Sequence, residues 1–228
     1  LSALLTPKRL VFGGSLLAIL LGVVLSWQRD AQLHVVALDV DGHPVLVRTP
    51  SGRQILIGGA SSPSALLSAL GGQLPFWDRD IDLLVASEIE TDQLNSLLAV
   101  LDRYTVGQIM ATEIAGDSRA GREWWAMLSR LGKTPMTPQN AILEPGIGVS
   151  FDGAVPLIEA GGLTIAIGPS DEAQINLIGQ PIDRLPDGPQ LVLMWQPAGS
   201  DTRLVDLADR GTVDLVVTPG AVSIATER

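Results

Sequence analysis

Residues 81–101, IDLLVASEIETDQLNSLLAVL, decide the fold of this chain. Their apolar start predicts a buried strand at 81–86, and the spacing of apolar residues after the polar loop predicts an amphipathic helix. The loop itself, residues 87–93, lies between a core strand and a helix N-terminus, where many hydrolases hold metal ligands. It carries carboxylates and amides but no histidine and no cysteine. The function therefore depends on what this loop is able to bind.

An uncharged apolar run, LVFGGSLLAILLGVVLSWQ, occupies residues 10–28. At 1.5 Å per residue, a helix of this length spans roughly 28 Å, about one bilayer core. Lys8 and Arg9 precede the run and Arg29 follows it, a bias that favours an N-terminus in the cytoplasm. We expect a single-pass protein of the cell membrane whose domain is extracytoplasmic. A cleaved signal peptide is the competing interpretation, but no small-residue cleavage site follows the run.

The apolar run divides the chain into a cytoplasmic stub with a transmembrane helix, residues 1–30, and a domain, residues 31–228. All 25 acidic residues lie at or after Asp30, together with 12 of the 15 basic ones, so that residues 30–228 carry a formal charge of −13. Such a surface repels phosphate backbones and anionic headgroups. DNA is therefore disfavoured as an unaided partner, and solubility is the simplest role of the charge.

Short apolar runs bounded by turn residues predict a β-rich first half with helices between its strands. Ser62 is expected to cap a helix whose first residue is Pro63. A later helix, predicted around Ser118 to Leu131, carries Trp124 and Trp125 and is ended by Gly132, and one of its two tryptophans is expected to pack inward. The strands of this half are predicted at 33–40, 45–48, 53–57, 81–86 and 106–110, and the first three form an antiparallel meander.

After Lys133 the pattern changes to short strands separated by proline and glycine turns. A helix at 201–209 is expected near the end of the chain. The strands of this half are predicted at 148–151, 155–159, 163–167, 173–178, 191–195 and 213–217. Two β-rich halves flanked by helices favour a four-layer αββα sandwich over a doubly wound sheet. The adjacent Phe76 and Trp77 are interpreted as core or loop packing.

Three stretches, taken in order, resemble the metallo-β-lactamase-like domain at the C-terminus of the ComEC-type competence membrane proteins, which take up DNA. Residues 33–60 resemble a strand, an LDVGQGD turn, a hairpin and an IDGG ending. Residues 74–110 resemble a strand, an SHPDADH-type metal loop and a helix. Residues 191–221 resemble a strand with a His-His-Gly-Ser motif, a helix and a final strand. The resemblance implies an αββα metallo-β-lactamase-like fold and a setting in DNA uptake.

The chain departs from this family at the positions that carry the chemistry. In the metal loop, Glu88 and Glu90 stand where the family has a His and an Asp. Asp92 keeps an acidic position, and Gln93 stands where a second His is expected. The resemblance therefore implies a degenerate metal loop.

The other site positions that the resemblance implies are changed as well. The LDVGQGD turn has become LDVDGHP, which contains Asp39 and Asp41. Gly58 replaces the Asp of the IDGG ending. Pro197 and Ala198 replace the two histidines of the His-His-Gly-Ser motif.

A dinuclear zinc site needs several imidazoles and a carboxylate. The chain has two histidines, His34 and His43, and neither lies in the metal loop. We therefore expect no zinc, no catalytic residue and no cofactor. Carboxylates at 88, 90 and 92, with Asp39 and Asp41 nearby, suit Mg²⁺, Mn²⁺ or Ca²⁺ instead. The simpler interpretation is a solvated loop whose Thr91 or Asp92 caps the next helix.

These observations favour a membrane-anchored pseudoenzyme that acts as a binding or scaffolding module beside a membrane protein. Two alternatives stay open. One is an accessory single-helix subunit of another membrane complex, unrelated to DNA. The other is a residual metal-dependent nuclease or phosphodiesterase with carboxylate ligands.

Overall fold

The chain folds around two β-sheets, as shown by a computed structural model that describes residues 32–86, 91–112, 114, 116–179, 187–194, 204–207, 210–218 and 221–227. In chain order the elements are β1 (Leu33–Ala37), β2 (Val45–Arg48), β3 (Gln54–Ile57), α1 (Pro63–Gln73), β4 (Asp80–Ala86), α2 (Thr91–Arg103), β5 (Thr105–Ala111), α3 (Arg119–Leu131), β6 (Ala141–Glu144), β7 (Ile147–Asp152), β8 (Val155–Ala160), β9 (Leu163–Ile167), β10 (Ile175–Ile178), β11 (Leu191–Met194), β12 (Leu204–Asp206), β13 (Thr212–Thr218) and β14 (Ala221–Glu227).

Each sheet has seven strands. The first has the order β14-β13-β1-β2-β3-β4-β5, and the second has the order β12-β11-β10-β9-β8-β7-β6. The antiparallel meander predicted for the first three strands is confirmed, since β2 pairs antiparallel with both β1 and β3. From β3 to β5 the pairing is parallel, as it is from β9 to β12.

The core has two layers because the strands of the first sheet bury side chains on both faces. In β1, Val35 and Ala37 face the second sheet, whereas Val36 packs toward the helices. This alternation follows from the two-residue period of a strand. On the helical side, Leu97 of α2 and Trp124 of α3 are fully buried in the same cluster as Val36. The result is a mixed α/β fold with two facing sheets and a helical layer on the first sheet.

Two helix starts and one helix end lie where the sequence predicts them. The Ser62 hydroxyl accepts a hydrogen bond from the backbone N–H of Ala65, and Pro63 occupies the first turn of α1. The Ser118 hydroxyl caps α3 in the same way, accepting from the Gly121 N–H at 2.9 Å. Gly132 ends α3 in the left-handed conformation, with φ of 64°. Each of these contacts satisfies backbone groups that a helix end leaves without partners.

Three predictions for the second half need correction. The prediction of a helix at 201–209 is wrong for the described part of that segment. There, Leu204–Asp206 forms β12 and pairs in parallel with β11. The strands β6 and β14 were not predicted. The helical layer expected over the second sheet is not found among the described residues, so the four-layer arrangement is confirmed only for its two sheets and one helical layer.

Two edges of the first sheet matter for function. Here an edge means a row of strand ends and not an outermost strand. The entry edge is the row of ends at which β1 begins, and it contains Leu33, Arg48, Gln54, Asp80 and Thr105.

The site edge is the opposite one, where β1, β3, β4 and β5 end. Ala37, Val45, Ile57, Ala86 and Ala111 lie along it. The seven residues of β4 place the two edges roughly 20 Å apart.

The predicted transmembrane helix, residues 10–28, lies outside the described residues. Of the helices that the structure describes, none combines the length and the apolar character needed to cross a membrane. The division of the chain at residue 30 stays a prediction.

Candidate functional site

The site edge begins with a tight turn at the end of β1. The Leu38 N–H donates to the carbonyl of Pro44 at 3.0 Å, and the His43 N–H donates to the carbonyl of Val40 at 2.8 Å. Gly42 has φ of 99° and His43 has φ of 42°. Asp39 is exposed at this turn. The turn therefore presents a carboxylate on a backbone held by its own hydrogen bonds.

The turn packs directly on the end of β3. The Asp41 carbonyl accepts a hydrogen bond from the Ser61 N–H at 3.0 Å. A Cβ atom added to Gly42 would lie 2.6 Å from the carbonyl oxygen of Gly59. No side chain fits in that space, so glycine at 42 permits the close approach as well as the positive φ. The Asp41 side chain is left exposed beside the packed backbone.

The first turn of α2 packs against the same backbone. The Ser96 hydroxyl accepts from the Ala60 N–H at 2.9 Å and donates to the Gln93 carbonyl at 2.7 Å. A Cβ on Gly59 would lie 2.8 Å from that carbonyl oxygen. Gln93, which stands where the family has a histidine, is 8% exposed. It is therefore a packed residue that joins α2 to the turn after β1.

His43 connects this turn to the second sheet. A Cβ atom added to Gly179, which follows β10, would lie 2.9 Å from the Cβ of His43. The imidazole thus packs against the backbone at the end of β10. Burial lowers the pKa of His43, and the nearby carboxylates of Asp39 and Asp41 partly oppose that shift. His43 is the imidazole at the site edge, and its neutral form is favoured there.

His34 lies at the entry edge. Its Nδ1 is 2.7 Å from the Oδ2 of Asp214 on β13. Five residues separate His34 from Asp39 along β1 and the start of the turn, a distance of roughly 16 Å in an extended chain. The two histidines therefore do not meet.

The residues predicted for the site fall into two groups. Asp39, Asp41, Gly58 and Gln93 lie together at the site edge, as the order of motifs implies. Glu88, Glu90, Pro197 and Ala198 lie outside the described residues. Asp92 lies in α2, but its side chain is outside the description.

The donors at the site edge do not fit a dinuclear zinc centre. Such a centre takes several imidazole ligands, and the whole chain has two histidines and no cysteine. One histidine, His34, is paired with Asp214 at the opposite edge. Within the described parts of the chain, no three His, Cys, Asp or Glu side chains group closely enough to hold a metal ion. No step through zinc is therefore derived for this chain.

Sequence reasoning missed the glycines and misjudged one aromatic pair. The close contacts at Gly42, Gly59 and Gly179 join segments far apart in the chain, and only the two-glycine ending of β3 gave a local signal. Phe76 is 81% exposed and Trp77 is 54% exposed, so their interpretation as core packing is wrong.

The expectation for the other aromatic pair is confirmed. Trp124 is fully buried, whereas Trp125 is 42% exposed. One tryptophan of α3 therefore packs inward, and the other lies at the surface.

The described residues define the class of this protein as a mixed α/β domain of two facing sheets. No protein-family model matches the chain, and no curated protein sequence matches it significantly. Among solved structures, the chain is similar to the metallo-β-lactamase fold protein YhfI from Bacillus subtilis, with 12% identity and a TM-score of 0.49 over 72% of this chain and 86% of that one.

Two further solved structures are similar. Igni18, a metallo hydrolase from the hyperthermophilic archaeon Ignicoccus hospitalis, has 14% identity and a TM-score of 0.44, covering 71% of this chain and 82% of its own. CmlA, a diiron β-hydroxylase from Streptomyces venezuelae, has 16% identity and a TM-score of 0.42 over 72% of this chain. The present chain covers 44% of CmlA.

Proposed function

We propose that this chain is a membrane-anchored, metallo-β-lactamase-like pseudoenzyme that binds a partner at its site edge. The observation that carries the proposal is that His43 is the single imidazole at this edge, with His34 held by Asp214 at the other. The family that the sequence resembles places several histidines at the corresponding edge. The order of the motifs supports a common scaffold, and the residues at positions 88, 93, 197 and 198 support replaced ligands.

The chemistry left at the site edge suits binding. Gly42 and Gly59 allow the turn after β1 and the end of β3 to pack closely, which fixes the backbone beneath the exposed Asp39 and Asp41. A fixed backbone that presents carboxylates favours a basic partner segment through charge complementarity. The formal charge of −13 on residues 30–228 acts in the same direction and disfavours DNA.

The anchor in this proposal is the apolar run at 10–28, with the domain outside the cytoplasm. Its support is the length of the run and the positive charges before it. The partner is then a membrane protein with a basic extracytoplasmic segment, in DNA uptake or another envelope complex. An accessory subunit unrelated to DNA would bind in the same way, so the two settings differ in the partner and not in the site.

A lysine-rich peptide tests the binding role of the site edge. Because the carboxylates there attract a basic segment, the double variant Asp39→Lys/Asp41→Lys is expected to bind the peptide several-fold more weakly than the parent chain. Fluorescence anisotropy with a labelled peptide at physiological salt measures the change.

The matched control is Asp80→Lys/Asp102→Lys, which changes the net charge equally at two exposed positions away from the site edge. It is expected to bind the peptide nearly as well as the parent chain. Equal weakening in both variants would show a general charge effect and contradict binding at the site edge.

A further inference from the structure

The entry edge carries an exposed aromatic pair. Phe76 is 81% exposed and Trp77 is 54% exposed, and their rings meet edge to face with centroids 4.6 Å apart. They lie in the segment between α1 and β4. Exposing two large aromatic side chains side by side leaves apolar surface in water, and such surface commonly marks an interaction site.

The segment that carries this pair is fastened to the sheet. The Asp78 N–H donates to the Pro75 carbonyl at 2.9 Å, and the Gln54 amide donates to the Asp78 carboxylate at 2.8 Å. The Thr105 N–H donates to the Arg79 carbonyl at 2.8 Å. These hydrogen bonds therefore hold the segment with the aromatic pair at a fixed position relative to β3 and β5.

A groove of about 200 Å³ adjoins the pair. Leu67 and Leu74 form apolar parts of its wall, and Arg79, Arg103 and Tyr104 form polar ones. Guanidinium groups bind phosphate through paired hydrogen bonds. The groove therefore combines an apolar wall with guanidinium groups. These two features match the two parts of a phospholipid near its headgroup, the apolar chain and the phosphate.

The first strand, β1, begins at the same edge as the aromatic pair, and the apolar run precedes β1 closely in the sequence. Only residues 29–32 separate the run from Leu33, where β1 begins at the entry edge. From residue 28 to Leu33 the chain takes five Cα-to-Cα steps, which extend at most about 18 Å. If a bilayer holds residues 10–28, as the proposed anchor requires, the length of the chain limits its distance from the start of β1 to that value.

We propose that the entry edge docks on the surface of a phospholipid bilayer, with Phe76 and Trp77 at the interface and Arg79 and Arg103 at the lipid phosphates. Aromatic side chains favour this depth of a membrane because their rings are apolar and their edges tolerate water. The docking rests on the proposed anchor, residues 10–28.

The charges at this edge indicate which lipid fits. Asp78 lines the groove together with the two arginines, Asp80 and Asp102 are their neighbours in the sequence, and the domain as a whole is acidic. An anionic surface is therefore not required, and a zwitterionic phosphatidylcholine bilayer suffices. Docking through the entry edge would leave the site edge, at the opposite end of the strands, accessible to a partner.

The absence of cysteine from the chain allows a direct test with single labels. Phe76→Cys places a fluorophore at the entry edge, and Asp41→Cys is the control at the exposed site edge. Both variants of the whole chain are reconstituted with phosphatidylcholine vesicles. Quenching by aqueous iodide and by a nitroxide-bearing lipid is then measured after flotation.

The expected result is that iodide quenches the label at position 76 several-fold less than the label at 41, and that the nitroxide lipid quenches only the former. Equal iodide quenching at both positions in floating protein would overturn the docking and leave the anchor intact. Shielding of position 76 without quenching by lipid would show a protein cover and also overturn the docking. Failure of the chain to float would contradict the anchor, and the docking with it.

Discussion

Replacement of Gly42 by alanine is expected to lower the free energy of unfolding by roughly 2–6 kcal/mol, because two costs add at this residue. The first is the backbone conformation, since φ of 99° is unfavourable for any residue with a Cβ. The second is the contact of 2.6 Å between the new Cβ and the carbonyl oxygen of Gly59. Relief of that contact requires the turn after β1 to move away from the end of β3, which also displaces Asp41.

Gly146→Ala is the matched control for this substitution. Gly146 has φ of 83°, and the space around its missing Cβ is open. Only the conformational cost of roughly 1–3 kcal/mol applies there. Urea denaturation of both variants measures the difference. Equal losses would show that the close approach of Gly42 to Gly59 does not contribute to the stability of the site edge.

Truncation of Trp124 to alanine is expected to cost about 3–5 kcal/mol, the usual range for an aromatic side chain removed from a core. Trp124 is fully buried in the layer between the first sheet and its helices. In the same layer Leu97 of α2 and Leu66 of α1 are also fully buried. The cavity left by the indole would therefore weaken the packing that holds the helical layer on the sheet.

Trp125→Ala, the next residue on α3, is the control. Its ring is 42% exposed, and its Nε1 donates one hydrogen bond to the Ile114 carbonyl at 3.1 Å. Loss of that bond and of partial burial is expected to cost about 1 kcal/mol. Chemical denaturation followed by circular dichroism compares the two. A loss for Trp125→Ala as large as that for Trp124→Ala would contradict the assignment of the buried face.

Local patterns predicted much of the fold because they depend on neighbouring residues. The caps at Ser62 and Ser118 and the end at Gly132 are set within one helical turn. The segment at 201–209 shows where this fails. Its apolar residues suit a helix as well as a strand, and the parallel pairing with β11 that makes Leu204–Asp206 a strand is not visible in the sequence.

The grouping of the described site-edge residues was predictable from the sequence, whereas their role as a site stays a prediction. The resemblance placed Asp39, Asp41 and Gln93 at one edge, and the described residues lie there. The contact of His43 with Gly179 joins two sheets across 136 positions of sequence, so no local pattern could indicate it. The exposure of Phe76 likewise depends on how the segment before β4 is held by Gln54 and Thr105.

Metal analysis of the purified chain tests whether its site has lost the ability to bind zinc. The chain of 228 residues is produced in cells supplied with zinc, manganese and iron, purified without chelators, and examined by elemental mass spectrometry together with a known zinc protein as a positive control. With one imidazole at the site edge, the purified chain is expected to hold only trace metal. Zinc in stoichiometric amount with the chain, retained through gel filtration, would show that the chain still assembles a zinc site and would contradict the proposed pseudoenzyme.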